Sequence, residues 1–190
     1  QSAADVYARG GIYAEFGKLI CITIGVITEI NDVLGFRLKS FYGDDEKAIL
    51  AEFADILRKQ KNETVLCAHN GREFDYPFLS RRMLINGIEL PYLLNISGKR
   101  PWEINHLDTM ELWKFGDYKN YTSLRLLAAV FNIPTPKDDI DGSQVGHVYW
   151  QEHDLERIKT YCEKDVLTVA QIVLRFKGKE LITPENVIKV

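Results

Sequence analysis

Two short stretches of this chain place carboxylates where a divalent metal ion could bind. The segment HNGREFDYPF joins the apolar run TVLCA to the start of a predicted helix, and it carries Asp75 at that junction. In YCEKD, Tyr161 and Asp165 are four residues apart, so they share one face of a helical turn. A carboxylate that binds a metal and a phenol that orients a water molecule are parts of a metal-dependent hydrolase. The pattern therefore predicts hydrolysis.

The elements that position these residues are predicted to alternate between strands and helices. Tyr161 and Asp165 fall beside the apolar stripe of the last long helix, where a buried acid must be compensated. A metal would do this, and so would a salt bridge or cap with a neighbouring Arg or Lys. The elements are strands at 19–28 and 36–42, a helix at 45–60, a strand at 64–68, a helix at 74–86 and a helix at 151–176. This order predicts an α/β fold.

These residues carry a resemblance to a known enzyme family. Asn70, Phe74 and Asp75 match the N-x-x-x-F-D second motif of the DEDDy 3'-to-5' exonucleases. Tyr161 and Asp165 match the Y-x-x-x-D third motif. More closely, the chain resembles the predicted exonucleases related to the proofreading domain of family B DNA polymerases. The similarity runs from about residue 13 to residue 175 and includes HLDTMELWKFGDYKNYTSL and PKDDIDGSQVGHVYW.

The resemblance implies a ribonuclease H-like fold, a mixed sheet flanked by helices, and cleavage at the free 3' end of single-stranded nucleic acid, with DNA expected. It also implies two Mg²⁺ or Mn²⁺ ions, about 4 Å apart, at the scissile phosphate. Asp75 and Asp165 would bind these ions. Tyr161 would orient the attacking water, since a phenol with a pKa near 10 is a poor base at neutral pH. Asn70 and Phe74 would hold the terminal nucleotide, although Phe74 is equally consistent with a core position.

The family's first motif, D-x-E on the first strand, has no counterpart on a predicted strand of this chain. Asp44 and Glu46 have the spacing, but in GDDEKAIL they are expected to be a helix cap and a first-turn acid. We expect Gln1 to be an internal residue of a parent protein whose first strand lies upstream, so that residues 1–190 form one N-terminally incomplete domain. Because that strand is central to the sheet, the strands at 19–28 and 64–68 would each lose a neighbour. Little or no exonuclease activity is expected from these residues alone.

Composition agrees with one globular domain. The chain has 190 residues and 46% hydrophobic content, enough to bury a core. No apolar run approaches the roughly 20 residues that span a bilayer, and no signal-peptide pattern opens the chain, so a cytoplasmic location and no membrane contact are expected. The three cysteines are expected to be buried, reduced thiols. They share no zinc-binding spacing with the four histidines, which favours hard oxygen ligands.

Net charge limits how the chain could bind nucleic acid. At -3 it argues against a protein that coats nucleic acid through bulk electrostatics, but an enzyme that holds one strand end needs only local basic groups. Each candidate could instead be an ordinary solvated charge. In the loop GKRPW, Trp102 could stack on a base. The candidate contacts are Arg72, Arg81, Arg82, Lys99, Arg100 and Trp102.

Other functions stay open. The chain could be an inactive relative that binds single strands without cutting them. It could also be an interaction module without a nucleic-acid role, in which case Asp75, Tyr161 and Asp165 would match the motifs by coincidence. Asp108, in HLDTMELW, has no place among the four family acids and is expected to cap the following turn. No sequence feature indicates an oligomeric state.

Overall fold

In a computed structural model, which describes residues 10–134 and 140–190, the strands form two small sheets. The strands are β1 (Cys21–Ile30), β2 (Val33–Tyr42), β3 (Cys67–Ala68), β4 (Leu107–Asp108) and β5 (Val187–Lys189). The first sheet has the order β1-β2-β5 and the second pairs β3 with β4. β1 and β2 are antiparallel, whereas β2 with β5 and β3 with β4 are parallel. The predicted α/β class with mixed strand directions and flanking helices is therefore confirmed.

The β1-β2 hairpin is longer than the sequence predicts. Its register runs without a break from Cys21 opposite Tyr42 to the pair that flanks the turn. Asn31 and Asp32 form that two-residue turn with φ of 50° and 63°, the left-handed conformation that suits the twist of a hairpin. Within β1, Gly25 leaves room for the ring of Phe36, since a Cβ at Gly25 would lie 2.1 Å from it.

The helices flank the sheets and begin close to their predicted positions. The predicted helix at 151–176 starts later, at Leu155, because a five-residue π turn (Val148–Glu152) precedes it and the Asp154 carboxylate caps it by accepting from the Arg157 amide at 3.0 Å. Among the described residues, no helix is both long and apolar enough to cross a bilayer. The helices are α1 (Glu46–Arg58), α2 (Asp75–Ile85), α3 (Thr109–Lys114), α4 (Leu124–Val130), α5 (Val145–His147) and α6 (Leu155–Phe176).

The hydrophobic core lies on both faces of the β1-β2 hairpin. Phe41 of β2 packs with Leu50 and Phe53 of α1 on one face. Phe36 and Leu38, which alternate with Phe41 along the strand, pack with Leu174 of α6 on the other. The hairpin is thus held between helices. The expectation of buried thiols is wrong for Cys67, which is exposed, and Cys21 and Cys162 are only partly buried.

Glu46 and Arg82, to which the sequence analysis gave other roles, form a buried ion pair. Glu46 lies in the first turn of α1 as predicted, but its carboxylate pairs with the Arg82 guanidinium and accepts from the Leu19 amide at 2.7 Å. Arg82 is therefore not available to a phosphate, and that prediction is wrong. Asp44 is not the helix cap either, since the Asp45 carboxylate accepts from the Ala48 amide. Asp44 instead accepts from the Tyr149 hydroxyl at 2.8 Å.

The two sheets are separated by a gap in strand pairing. Within residues 10–134 and 140–190, β1 pairs only with β2 and β3 pairs only with β4, so β1 and β3 each have one unpaired edge. Helix α6 contacts both strands. These are the two strands that the sequence analysis expects to lose a neighbour.

Candidate functional site

The carboxyl ends of β3 and β4 bring the Asp75 segment and Asp108 together. Because the two strands are parallel, the chain leaves both at the same edge, with Ala68 beside Asp108. The Asp108 side chain is 2% exposed and accepts from the amides of Asn70 and Arg72 at 2.9 and 3.2 Å. It also accepts from the amides of Met110 and Glu111 at 3.0 and 3.4 Å, so it caps α3 as predicted. One buried carboxylate therefore fixes the loop between β3 and α2.

That loop turns directly into α2 and places Asp75 as its first residue. Asn70 adopts a left-handed φ of 60°, which Asn tolerates better than most residues, and its carbonyl accepts from the Phe74 amide at 3.0 Å. Gly71 is required by close packing, because a Cβ there would lie 2.5 Å from the Cβ of Ala68. This backbone geometry fixes the position of Asp75 at the start of α2.

Asp75 shares its surroundings with two other carboxylates. Burial raises the pKa of Asp75 to about 6, and the negative charges of Asp108 and Asp165 act in the same direction. Because such effects weaken with distance, the three acids, from α2, β4 and α6, form one electrostatic cluster. A cation would offset their repulsion, and carboxylate oxygens are the ligands that Mg²⁺ and Mn²⁺ prefer. The chemistry of the cluster therefore fits a divalent ion.

The cluster supplies only part of an ion's coordination. The oxygens of Asp108 are already used by backbone amides, so Asp108 has little capacity left for an ion. Within the residues that the structure describes, no group of three or more His, Cys, Asp or Glu side chains is placed to hold a metal. Mg²⁺ takes about six ligands, so water, substrate or further residues would have to provide the rest.

Tyr161 lies one turn before Asp165 on α6, as its spacing predicts. Its ring packs at the margin of an apolar cluster with Val148 and Ile158. Its hydroxyl oxygen lies 3.9 Å from the position that a Cβ would take at Gly142, so it reaches the segment before α5. Tyr161 is partly buried, and a role as a packing aromatic is consistent with this position as well as a role in orienting water.

The loop between β3 and α2 also positions three of the predicted substrate contacts. Phe74 is 44% exposed and its ring lies 5.7 Å from that of Phe78, so the alternative that Phe74 is a core residue is wrong. One guanidinium nitrogen of Arg72 donates to the carbonyls of Ile104 and His106 at 3.0 and 2.6 Å. This gives Arg72 a structural role along β4, and its contact with substrate stays a prediction. Asn70 Oδ1 is buried and has no hydrogen-bond partner among the described residues.

The GKRPW loop lies at the opposite edge of the β3-β4 pair. A cavity of about 50 Å³ is lined by residues that precede both strands, among them Asn62, Thr64, Lys99 and Asn105. Residues that precede parallel strands lie at their amino ends, away from Asp75 and Asp108. Trp102 is 73% exposed, and the Arg100 guanidinium lies 5.5 Å from its ring centre. The structure therefore places Asn70 and Phe74 on the loop that leads to Asp75, whose pKa the charge of Asp165 raises. It does not bring Lys99, Arg100 or Trp102 to them.

One residue that sequence reasoning missed organises this edge. His69 Nε2 donates to the carbonyl of Thr122 at 2.9 Å, and Nδ1 accepts from the hydroxyl of Thr109 at 2.9 Å. Burial lowers the pKa of His69, which favours the neutral ring with this pattern of donor and acceptor. His69 thereby ties the segment after α3 to the loop that carries Asp75. The contact joins residues 53 positions apart, and no local spacing signals it.

The raised pKa of Asp75 predicts a pH-dependent stability. The unfolded chain loses this proton near pH 3.8 and the folded protein near pH 6, so stability falls as pH rises between these values. At about 1.4 kcal/mol per unit, the total is on the order of 3 kcal/mol. In EDTA at pH 7.5, Asp75→Asn should therefore raise the free energy of unfolding by about 1–3 kcal/mol, with the gain vanishing below pH 4. Urea titrations at both pH values check this.

Glu63→Gln provides the control, because Glu63 is an exposed carboxylate away from the cluster. It should change the free energy of unfolding by less than about 0.5 kcal/mol at either pH. Equal stability of Asp75→Asn and the unsubstituted protein at pH 7.5 would contradict the raised pKa of Asp75.

Most of the chain matches a known family. A family model described as a predicted 3'-5' exonuclease related to the exonuclease domain of PolB matches residues 13–183. The matched range contains both the loop from Asn70 to Asp75 and the helical turn from Tyr161 to Asp165. It confirms the resemblance that these motifs indicate.

Proposed function

Since the chain belongs to the family of predicted 3'-5' exonucleases related to the exonuclease domain of PolB, we propose that it removes nucleotides from the 3' end of single strands, with DNA as the expected substrate. The observation that supports this most is the electrostatic cluster. Asp75 and Asp165 stand at the acidic positions of the second and third family motifs, and they come from different helices to influence each other's charge. Chance matches to two short motifs would not require the charge of one acid to act on the other.

The proposed reaction depends on Mg²⁺ or Mn²⁺, which Asp75 and Asp165 would hold. When bound, such ions lower the pKa of a coordinated water and stabilise charge on the departing 3' oxygen. The residues of the chain then have separate tasks. The Tyr161 hydroxyl orients the attacking water by a hydrogen bond, and Asn70 and the exposed ring of Phe74 hold the terminal nucleotide.

Two carboxylates are too few for two ions, so activity requires the acids of a D-x-E strand. The unpaired edges of β1 and β3 are the positions at which such a strand would pair. We call residues 1–190 joined to a strand that carries D-x-E the completed domain. It is the form in which the proposed reaction is tested.

A second candidate function is supported by the same shortage of ligands. Among the described residues, no three His, Cys, Asp or Glu side chains form a metal-holding group. A relative that binds single strands without cutting them would need no such group. Failure of the completed domain to cut, with binding retained, would favour this function.

Tyr161→Phe tests the assignment of the water-orienting hydroxyl. In the completed domain it should lower kcat on the order of 10- to 1000-fold, because it removes one hydrogen bond to the attacking water and keeps the ring. Substrate affinity should stay nearly constant, and the free energy of unfolding should change by no more than about 1 kcal/mol. Single-turnover cleavage of a short labelled strand and a thermal melt provide these values.

Tyr149→Phe is the matched control. Tyr149 belongs to the same apolar cluster as Tyr161, but its hydroxyl donates to Asp44 at 2.8 Å, away from the acids. Its removal should affect stability alone. If both variants cut at the rate of the unsubstituted protein, Tyr161 is a packing residue.

A further inference from the structure

The segment between α3 and α4 exposes three aromatic side chains. We call residues 115–121, FGDYKNY, the aromatic loop. Phe115 is 85% exposed, Tyr118 is 88% exposed and Tyr121 is 67% exposed. Aromatic rings gain much free energy from burial, so a group of them in contact with solvent marks a surface that binds something.

The aromatic loop lies at the same edge as Asp75. It follows α3, which begins next to Asp108, and it is followed by Thr122, whose carbonyl accepts from His69. Lys114, the last residue of α3, has its pKa raised by its bond to Glu111 and further by the charge of Glu73. Glu73 lies two residues before Asp75 and beside the exposed ring of Phe74. The loop therefore lies at the same edge of the β3-β4 pair as Asp75.

The loop holds its rings in a defined arrangement. Phe115 and Gly116 adopt consecutive left-handed φ values of 44° and 90°, a conformation that is rare for a bulky residue such as Phe. The Asp117 amide donates to the Lys114 carbonyl at 2.8 Å, and the Asp117 carboxylate accepts from the Lys119 amide at 3.1 Å. These bonds close a tight turn that directs the rings outward.

Positive charge accompanies the rings. Lys114 Nζ lies 4.6 Å from the ring centre of Tyr121, so it covers one face of that ring, and it is ion-paired with Glu111. Lys119 is exposed and lies between Tyr118 and Tyr121 in the sequence. Alternation of aromatic rings with lysine is the pattern by which proteins hold single strands, because every base can stack on a ring and every phosphate attracts an ammonium group.

We propose that the aromatic loop binds single-stranded nucleic acid by stacking the unpaired bases that precede the 3'-terminal nucleotide. The inference rests on the proposed function, since it assigns to one strand both its end at Asp75 and its path across the loop. It also moves the base-stacking surface from Trp102, at the opposite edge of β3 and β4, to Phe115 and Tyr118.

A binding assay on residues 1–190 tests the proposal without cleavage. A short fluorescein-labelled oligothymidylate is titrated in EDTA at low salt, and its anisotropy gives Kd. Phe115→Ala and Tyr118→Ala should each raise Kd about 10-fold, and together about 100-fold, since each lost stack weakens binding by a similar factor. Tyr118→Phe keeps the ring and should bind within about twofold of the unsubstituted chain.

A stacking-specific signal and a matched control complete the design. An oligonucleotide containing 2-aminopurine should lose fluorescence on binding, and the Phe115→Ala, Tyr118→Ala double variant should abolish this quenching. Trp102→Ala removes an equally exposed ring at the other edge and should leave Kd and quenching unchanged. Thermal melts verify that the variants fold, as expected for exposed side chains.

Several results would overturn the proposal. One is an unchanged Kd for Phe115→Ala and Tyr118→Ala. Another is that Trp102→Ala is the one substitution that weakens binding. Absence of oligonucleotide binding by the unsubstituted chain would also do so, as would a change of oligomeric state in the double variant, which would make the rings a contact between copies. Ring-dependent binding without cleavage by the completed domain keeps this inference and removes the proposed function. Cleavage by the completed domain, with oligonucleotide binding that does not depend on the rings, removes this inference and keeps the proposed function.

Discussion

Residues 1–190 alone should shorten a 5'-labelled single strand at no more than the background rate, and the completed domain should do so faster by a factor on the order of a thousand or more. The reason is the number of ligands. Backbone amides occupy the Asp108 carboxylate, and the two motif acids Asp75 and Asp165 alone would hold two divalent ions poorly. A denaturing gel with time points in Mg²⁺ or Mn²⁺ measures the rate, and a ladder that recedes from the 3' end shows the polarity.

A completed domain whose added strand carries N-x-Q is the control. It should pair with the unpaired edges of β1 and β3 and raise the melting temperature, yet leave activity at background. The comparison separates completion of the sheet from completion of the metal site. Rapid metal-dependent cleavage by residues 1–190 would show that the missing ligands are elsewhere in the chain.

The second large effect concerns the two carboxylates themselves. In the completed domain, Asp75→Asn and Asp165→Asn should each lower turnover on the order of 1000-fold, because each removes a negatively charged ligand that the amide does not replace. Asp75→Asn should not destabilise the metal-free protein, since it removes a buried negative charge that two other carboxylates repel. Loss of activity with retained stability distinguishes a metal ligand from a structural acid.

Glu163→Gln is the matched control for Asp165→Asn. Glu163 lies two residues earlier on α6, is 5% exposed, and bonds to Ser40 and Lys189 on the other side of the helix. Its replacement should reduce stability and leave turnover within about twofold. Wild-type turnover in both aspartate variants would remove the proposed site altogether.

Local sequence patterns predicted the elements that carry the site. The apolar runs of β1 and β2 and the periodicity of α6 are each contained within one element, so Asp165 and Tyr161 could be placed on one helical face. Asp108 as a helix cap follows the same logic, because a cap is read from neighbouring residues.

These local patterns could not predict contacts between segments that are far apart in the sequence. The bonds from Asp108 to Asn70 and Arg72, and the bond from His69 to Thr122, join parts of the chain that share no spacing rule. Trp102 shows a further reason. Its loop has the composition of a stacking surface, but composition does not tell which end of a strand a loop adjoins. The three-residue β5 is too short to show an alternating pattern.

The unpaired edge of β1 has a consequence for handling the protein. Among the described residues, nothing pairs with that edge, and the strand is rich in β-branched residues such as Ile22, Ile24 and Val26. An open edge of this composition is a template for another copy of the same strand, which is how ordered aggregates begin. A strand that supplies D-x-E would therefore protect the domain from self-association as well as equip it for catalysis, and concentrated solutions of residues 1–190 would lack that protection.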